Sequence, residues 1–142
     1  MNIDKSKLFP KDLKKEHDKM FQINLEILDN KEYEQEIIDF EKMIRPYNYE
    51  KYDYVIRAAR TVEELVNESS QMNHCVRNYI PKIAAHQSAV FFVRKQEEKE
   101  KSLVTVEIDP VNKILLQARG YDNKEPTITE MAFINDWCHK RI

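Results

Sequence analysis

The sequence predicts an α+β fold: an antiparallel meander of three to four strands with N-terminal, central and C-terminal helices packed on it. Three observations lead there. Ala89–Arg94, Leu103–Ile108 and Ile114–Arg119 alternate with period 2, which sends successive side chains to opposite faces of a sheet. The stretches on either side carry apolar residues at helical spacing instead. Thr61 and Thr127 each stand three residues ahead of a glutamate, Glu64 and Glu130, the pattern of a helix start.

Taken in order, Met1 to Lys7 is polar and expected to be loose. A first helix is expected from Phe9-Pro10, since proline suits a first helical turn. Its apolar stripe reads Leu13, His17, Met20, Phe21, Asn24, Ile27 and Leu28, and it resumes as Tyr33, Ile37, Ile38, Phe40, Met43 and Ile44. Asp29-Asn30-Lys31 is a candidate break between two helices. Pro46 to Lys51 reads as a turn and Tyr52 to Arg57 as a strand. The Thr61 helix buries Leu65, Met72 and Val76 and is expected to end near Cys75 or Val76; a short helix spans roughly Asn78 to His86. Gln96–Lys101 and Asp109–Asn112 link the three strands. The last helix, from Thr127, turns Met131, Ile134, Trp137 and Cys138 inward. Residues 1–142 are expected to form one domain, with 1–50 its helical part and 51–142 its sheet-containing part.

Composition narrows the function classes. At 142 residues, with 34% charged and 42% hydrophobic, the chain can bury one real core. A net charge of -2 supplies no global attraction to nucleic acid or to an anionic membrane. No apolar run approaches the roughly 18 residues of a membrane span. Cys75 and Cys138 lie far apart, and no signal peptide stands ahead of them, so free thiols in a reducing cytoplasm are expected. Gly120 is the one glycine, and such a residue is expected where the backbone needs positive φ or a close approach.

In the simplest register one sheet face holds Ala89, Phe91, Val93, Val104, Val106, Ile108, Ile114, Leu116 and Ala118. The other gathers Arg94, Thr105, Glu107, Gln117 and Arg119 among Val90, Phe92, Leu103 and Leu115, with His74 just upstream. Arg94 and Glu107 are then expected to pair, because an unpaired buried charge is costly. Such a group beside a histidine is the composition of a binding or catalytic cleft, and also of a structural ion-pair network; the two readings stay open. In the cleft reading His74, Glu107 and Arg94 are the candidate catalytic residues, with Glu107 as general base and His74 as acid or orienter. Thr105, Gln117, Arg119, Asn123, Tyr79 and His17 are the candidate binding residues; His17 otherwise packs at the edge of the core.

Cys75 reads as a small buried apolar residue, because neighbouring helical residues do not give a Cys–His pair its geometry. Zinc is a poor reading, since adjacent His-Cys pairs are unusual ligands, and no cofactor is called for. Aromatic and basic residues around Tyr47–Tyr52, Arg57 and Arg60 offer only a weak nucleic-acid platform, because acidic residues interleave them.

The ordered set of Phe9-Pro10-Lys11-Asp12-Leu13 with His17, Glu68 ahead of Asn73-His74-Cys75-Val76 and Tyr79, Phe92-Val93-Arg94, Thr105-Val106-Glu107, Gln117-Ala118-Arg119-Gly120, Asn123 and Trp137 resembles the PcfJ-like proteins. It spans nearly the whole chain and is similar to the C-terminal region of longer members. The resemblance implies a protein of conjugative plasmids, phages and related mobile elements, with an unknown ligand or macromolecular partner. It implies a genomic setting more than a mechanism. Where the family usually has glycine, this chain has Ser69 and Arg77. The departure bears on any close backbone approach there, and on an activity that depends on one.

Overall fold

The computed structural model describes residues 11–142. The expected helix start at Phe9-Pro10 and the loose Met1–Lys7 lie outside the described residues. Helix α1 spans Lys11–Asp29 and breaks where Asp29-Asn30-Lys31 predicts. A 3-10 turn at Lys31–Tyr33 leads into α2, Glu34–Ile44. Strands β1 (Tyr49–Lys51) and β2 (Tyr54–Ala58) form a tight hairpin, followed by α3 (Val62–Met72), a 3-10 turn at Val76–Tyr79 and α4 (Ile80–Ala84). Then come β3 (Ala89–Lys95), β4 (Val104–Asp109), β5 (Ile114–Arg119) and α5 (Ile128–Arg141).

The sheet has five strands in the order β1-β2-β3-β4-β5, each antiparallel to its neighbours. The extra strand is Tyr49–Lys51, which the sequence reads as part of a turn. Its three residues pair with Tyr54–Ile56, too short a run for alternation to show.

One face of the sheet carries Ile56, Ala58, Ala89, Phe91, Val93, Val104, Val106 and Ile108, all buried. Helix α5 covers it: Trp137 packs on Phe91 at 5.0 Å between ring centroids, and Phe133 on Tyr49 and Tyr54. Trp137 donates its indole N–H to the Tyr47 carbonyl at 2.7 Å, so the largest core side chain leaves no polar atom unpaired. Thr127 and Glu130 form a reciprocal capping box at the start of this helix.

Helix α3 covers the opposite face. Thr61 accepts the Glu64 N–H as its cap. Glu64 itself reaches one residue further back than a capping box requires, accepting the Arg60 N–H and N–H groups from both terminal nitrogens of Arg57. The helix stops at Met72 because Asn73 adopts a left-handed backbone, φ 52°, where asparagine is tolerated. That stop precedes the expected end near Cys75 and frees His74 and Cys75 from helical spacing.

Three expectations are corrected. The register between β4 and β5 shifts beside Glu107 and Ile108: Gln117 lies opposite Glu107, but Leu115 lies opposite Ile108, so Leu116 is an extra residue. Leu116 is therefore 53% exposed rather than in the core, Ile114 is exposed with it, and Leu115 takes the inward place. The α1 stripe at Leu13, Met20, Phe21 and Leu28 faces outward, while Ile23 and Ile27 pack against the core. Gly120 has φ −85°, open to any residue, and a Cβ there would meet the Lys124 and Leu103 carbonyls only at ordinary distances of 3.5 and 3.7 Å.

Candidate functional site

The polar face is buried under α3 and the segment that follows it. Glu68, Ser69, His74, Ser88, Arg94, Thr105 and Glu107 are all buried there. Burial obliges each to find hydrogen bonds; Ser69 accepts the Arg77 N–H, and the others form two separate groups.

The first group centres on Glu68, which enters from α3. Arg94 donates to it from both terminal nitrogens, at 2.5 and 3.3 Å. Ser102 and Thr105 donate their hydroxyls at 2.7 and 2.6 Å. The expected Arg94–Glu107 pair does not form. Both residues rise from the same face, but Glu107 lies opposite Val90 on β3. Four residues of strand, about 13 Å, separate Val90 from Arg94.

Thr105 links this group to His74. Its single hydroxyl hydrogen goes to Glu68, so at 2.8 Å it must accept from His74 Nε2. On the other side of the ring the Val76 N–H points at Nδ1 at 3.4 Å, and a backbone N–H can only donate. Both contacts require the same tautomer: Nε2 carries the hydrogen and Nδ1 holds the lone pair. Burial pushes the imidazole below its ordinary value of 6.5 against an opposing pull from Glu68, which keeps the ring neutral near pH 7.

The second group centres on Glu107. Ser88 donates to Oε2 at 2.6 Å and Gln117 donates to Oε1 at 3.0 Å. Gln117 also reaches the Tyr79 hydroxyl at 3.3 Å. Thr105 and Glu107 stand two residues apart on β4, about 7 Å.

Between the two groups lies a cavity of about 180 Å³, lined by His74, Cys75, Val76, Tyr79, Thr105, Glu107, Gln117, Arg119 and Asn123. Seven of the nine site residues expected from the sequence therefore meet at one cavity. Arg94 sits beneath it, behind Thr105, and does not line it. His17 is on α1, 84% exposed at its side chain and beside Asp18, away from the cavity.

Cys75 is not buried, contrary to expectation; it is exposed and lines the cavity. It is free, as is Cys138, whose thiol burial pushes up. No hydrogen bond joins the Cys75 thiol to His74, whose two nitrogens are taken by Thr105 and Val76. Among the described residues no three His, Cys, Asp or Glu side chains are grouped to hold a metal ion. Of the aromatic and basic residues in this segment, Tyr49 is engaged by Asp136 and Phe133 and Arg57 by Glu64, while Tyr52 and Arg60 are exposed.

The sequence model for the PcfJ-like protein family matches residues 1–134. This chain belongs to the PcfJ-like family. The chain is similar to the uncharacterized protein Lin1253/Lin1744 of Listeria innocua serovar 6a, strain ATCC BAA-680 / CLIP 11262. The two are 30% identical over 133 residues, which cover 92% of this chain and 29% of the relative. This PcfJ-like chain thus spans under a third of the length of that relative. No solved structure matches it.

Glu68 is a residue of this site that sequence reasoning left without a role. Its position was informative: three residues after Leu65 and four before Met72, it lies on the buried stripe of α3. Ser69 and Arg77, the two departures noted in the resemblance, meet each other in this PcfJ-like chain. The Ser69 hydroxyl accepts the Arg77 N–H at 2.7 Å, and the Arg77 guanidinium reaches Glu26 on α1 at 3.2 Å. Neither residue has positive φ.

Proposed function

We propose that this domain holds a small polar ligand in the His74–Gln117 cavity and carries out general acid–base chemistry on it. The observation behind this reading is the convergence of seven candidate residues, from the end of α3, β4, β5 and the segments that follow, on one cavity. His74 Nδ1 is the base: its contact with the Val76 N–H is long, at 3.4 Å, and gives way when the ligand offers a proton, while Thr105 and Glu68 orient the neutral ring from behind. Glu107 is the second acid–base group, and Arg119, Gln117, Tyr79 and Asn123 position the ligand. A cavity of about 180 Å³ is below the roughly 300 Å³ of typical drug-sized sites, so it suits one ring or a short chain end. A nucleotide would place only part of itself there. The setting we assign is an accessory role in a plasmid or phage mobile element.

A second reading has its own support. Leu13, Met20, Phe21 and Leu28 leave an apolar stripe exposed along α1, as in a module that docks a macromolecule. One experiment separates the readings. Pools of nucleotides, amino acids and sugar acids are titrated into the 15N-labelled protein, and backbone amides are followed. The proposal predicts shifts at Cys75, Val76, Gln117, Arg119 and Asn123 for at least one pool, weakened tenfold or more by Gln117→Ala. Shifts unaffected by that substitution, or none from any pool, would contradict it.

A further inference from the structure

We infer that the ligand seats a cationic N–H-donating group, a guanidinium or an ammonium, on Glu107. This rests on the cavity reading above and adds the ligand's chemical class.

The starting point is a carboxylate in an unusual position. Glu107 is 8% exposed, yet its partners are a serine hydroxyl and a glutamine amide, both neutral. Among the described residues no Lys, Arg or His forms an ion pair with it. The nearby cations have other partners: Arg94 pairs with Glu68 beneath the site, and Arg119 pairs with Glu125 at the rim. His74 is held neutral. Lys82 lies over the Tyr79 ring at 5.6 Å, exposed and not among the lining residues. The cavity walls therefore carry one uncompensated negative group. A buried carboxylate without an opposite charge is costly, and proteins resolve this by pairing it. Each Glu107 oxygen accepts one bond from the protein and has a second lone-pair site to offer. A planar guanidinium presents two N–H groups at the spacing those sites provide, and an ammonium presents three donors to one oxygen.

The rim adds a second constraint. The Arg119–Glu125 pair is solvent-exposed, especially at Glu125, and pairs of that kind contribute little. An anion on the ligand can replace Glu125 there. Arg119 lies diagonally across from Glu107 on the neighbouring strand, about 7–8 Å away. That span suits a compact molecule with a cation at one end and a carboxylate at the other.

The test is an NMR titration of the full chain with methylguanidinium, methylammonium and methylurea. Methylurea matches methylguanidinium in shape and lacks its charge. The expected result is that a cationic probe shifts the cavity amides and binds at least tenfold more tightly than methylurea, a preference that Glu107→Gln abolishes. Free L-arginine binding more tightly than arginine blocked at both ends assigns a free amino-acid-type ligand held by Arg119; the reverse order assigns a side chain of a peptide. Methylurea binding as well as either cation would overturn the inference. So would a cavity that accepts only neutral or anionic compounds, which leaves the cavity reading standing. No shift from any compound class would overturn both. The wild-type comparison alone decides the matter if Glu107→Gln does not fold.

Discussion

Glu68 receives four hydrogen bonds at a position 1% exposed, and its consequences for stability differ from those of Glu107, which lines the same buried face. Removing Glu68 strands the buried Arg94 guanidinium, so Glu68→Ala is expected to cost about 3–5 kcal/mol. Glu107 has only neutral partners; each such bond to a carboxylate contributes about 1.5–3 kcal/mol net, which the cost of burying its unpaired charge offsets. Glu107→Gln should therefore move stability by no more than about 1 kcal/mol, in either direction, in a urea melt. Equal losses in the two variants would mean that Glu107 is part of an ion-pair network after all. Cys75 gives a second check at this scale. As an exposed thiol it should react with a thiol reagent in the folded protein well ahead of Cys138, which is half-buried and harder to deprotonate. The residue types of the site were legible in the sequence, because parity alone puts Thr105, Glu107, Gln117 and Arg119 on one face. The pairing was not. Parity fixes a face but not how far apart two residues lie along adjacent strands, and the actual partner of Arg94 comes from a helix.

At the level of elements, the β5 bulge decides which side chains reach the core. Alternation predicts that Leu116 follows Ala118 inward, and one extra residue reverses this by bringing Leu115 opposite Ile108. Ile108→Ala should then cost about 2–5 kcal/mol, as for a fully buried aliphatic chain, while Leu116→Ala costs less than about 1 kcal/mol. Comparable costs would place Leu116 in the core and remove the bulge. The bulge also bears on the site: it keeps Gln117 and Arg119 on the polar face while the strand beyond them changes sides. Bulges are invisible to a period-2 reading, as is a three-residue strand such as Tyr49–Lys51. Capping was legible, since Thr61 and Thr127 perform it through their own side chains. The inward face of α1 was misread because its exposed side is as apolar as its buried one.

For the molecule as a whole, the sheet is covered on both faces by different means. Under α5 the contact is aromatic; under α3 it is a hydrogen-bonded chain ending in a neutral histidine. The second arrangement makes stability depend on pH. His74 has a folded value below its ordinary 6.5, so the unfolded chain binds the proton more readily. Stability from this group is complete above pH 6.5 and declines as pH falls from there through the lowered folded value. Melting temperatures taken downward from pH 7.5 should show this loss before the carboxylates titrate, and His74→Gln, which keeps an N–H donor for Thr105, should flatten it. An identical decline in the variant would assign it to other groups.

The central claim is that Glu68, acting through Thr105, fixes His74 as a neutral base with its lone pair on Nδ1. The 15N chemical shifts of the His74 ring at pH 7 report this directly. The account predicts a protonated Nε2 and an unprotonated Nδ1, with the tautomer preference lost in Thr105→Val. A protonated Nδ1, or an imidazolium with both nitrogens protonated at that pH, would contradict it.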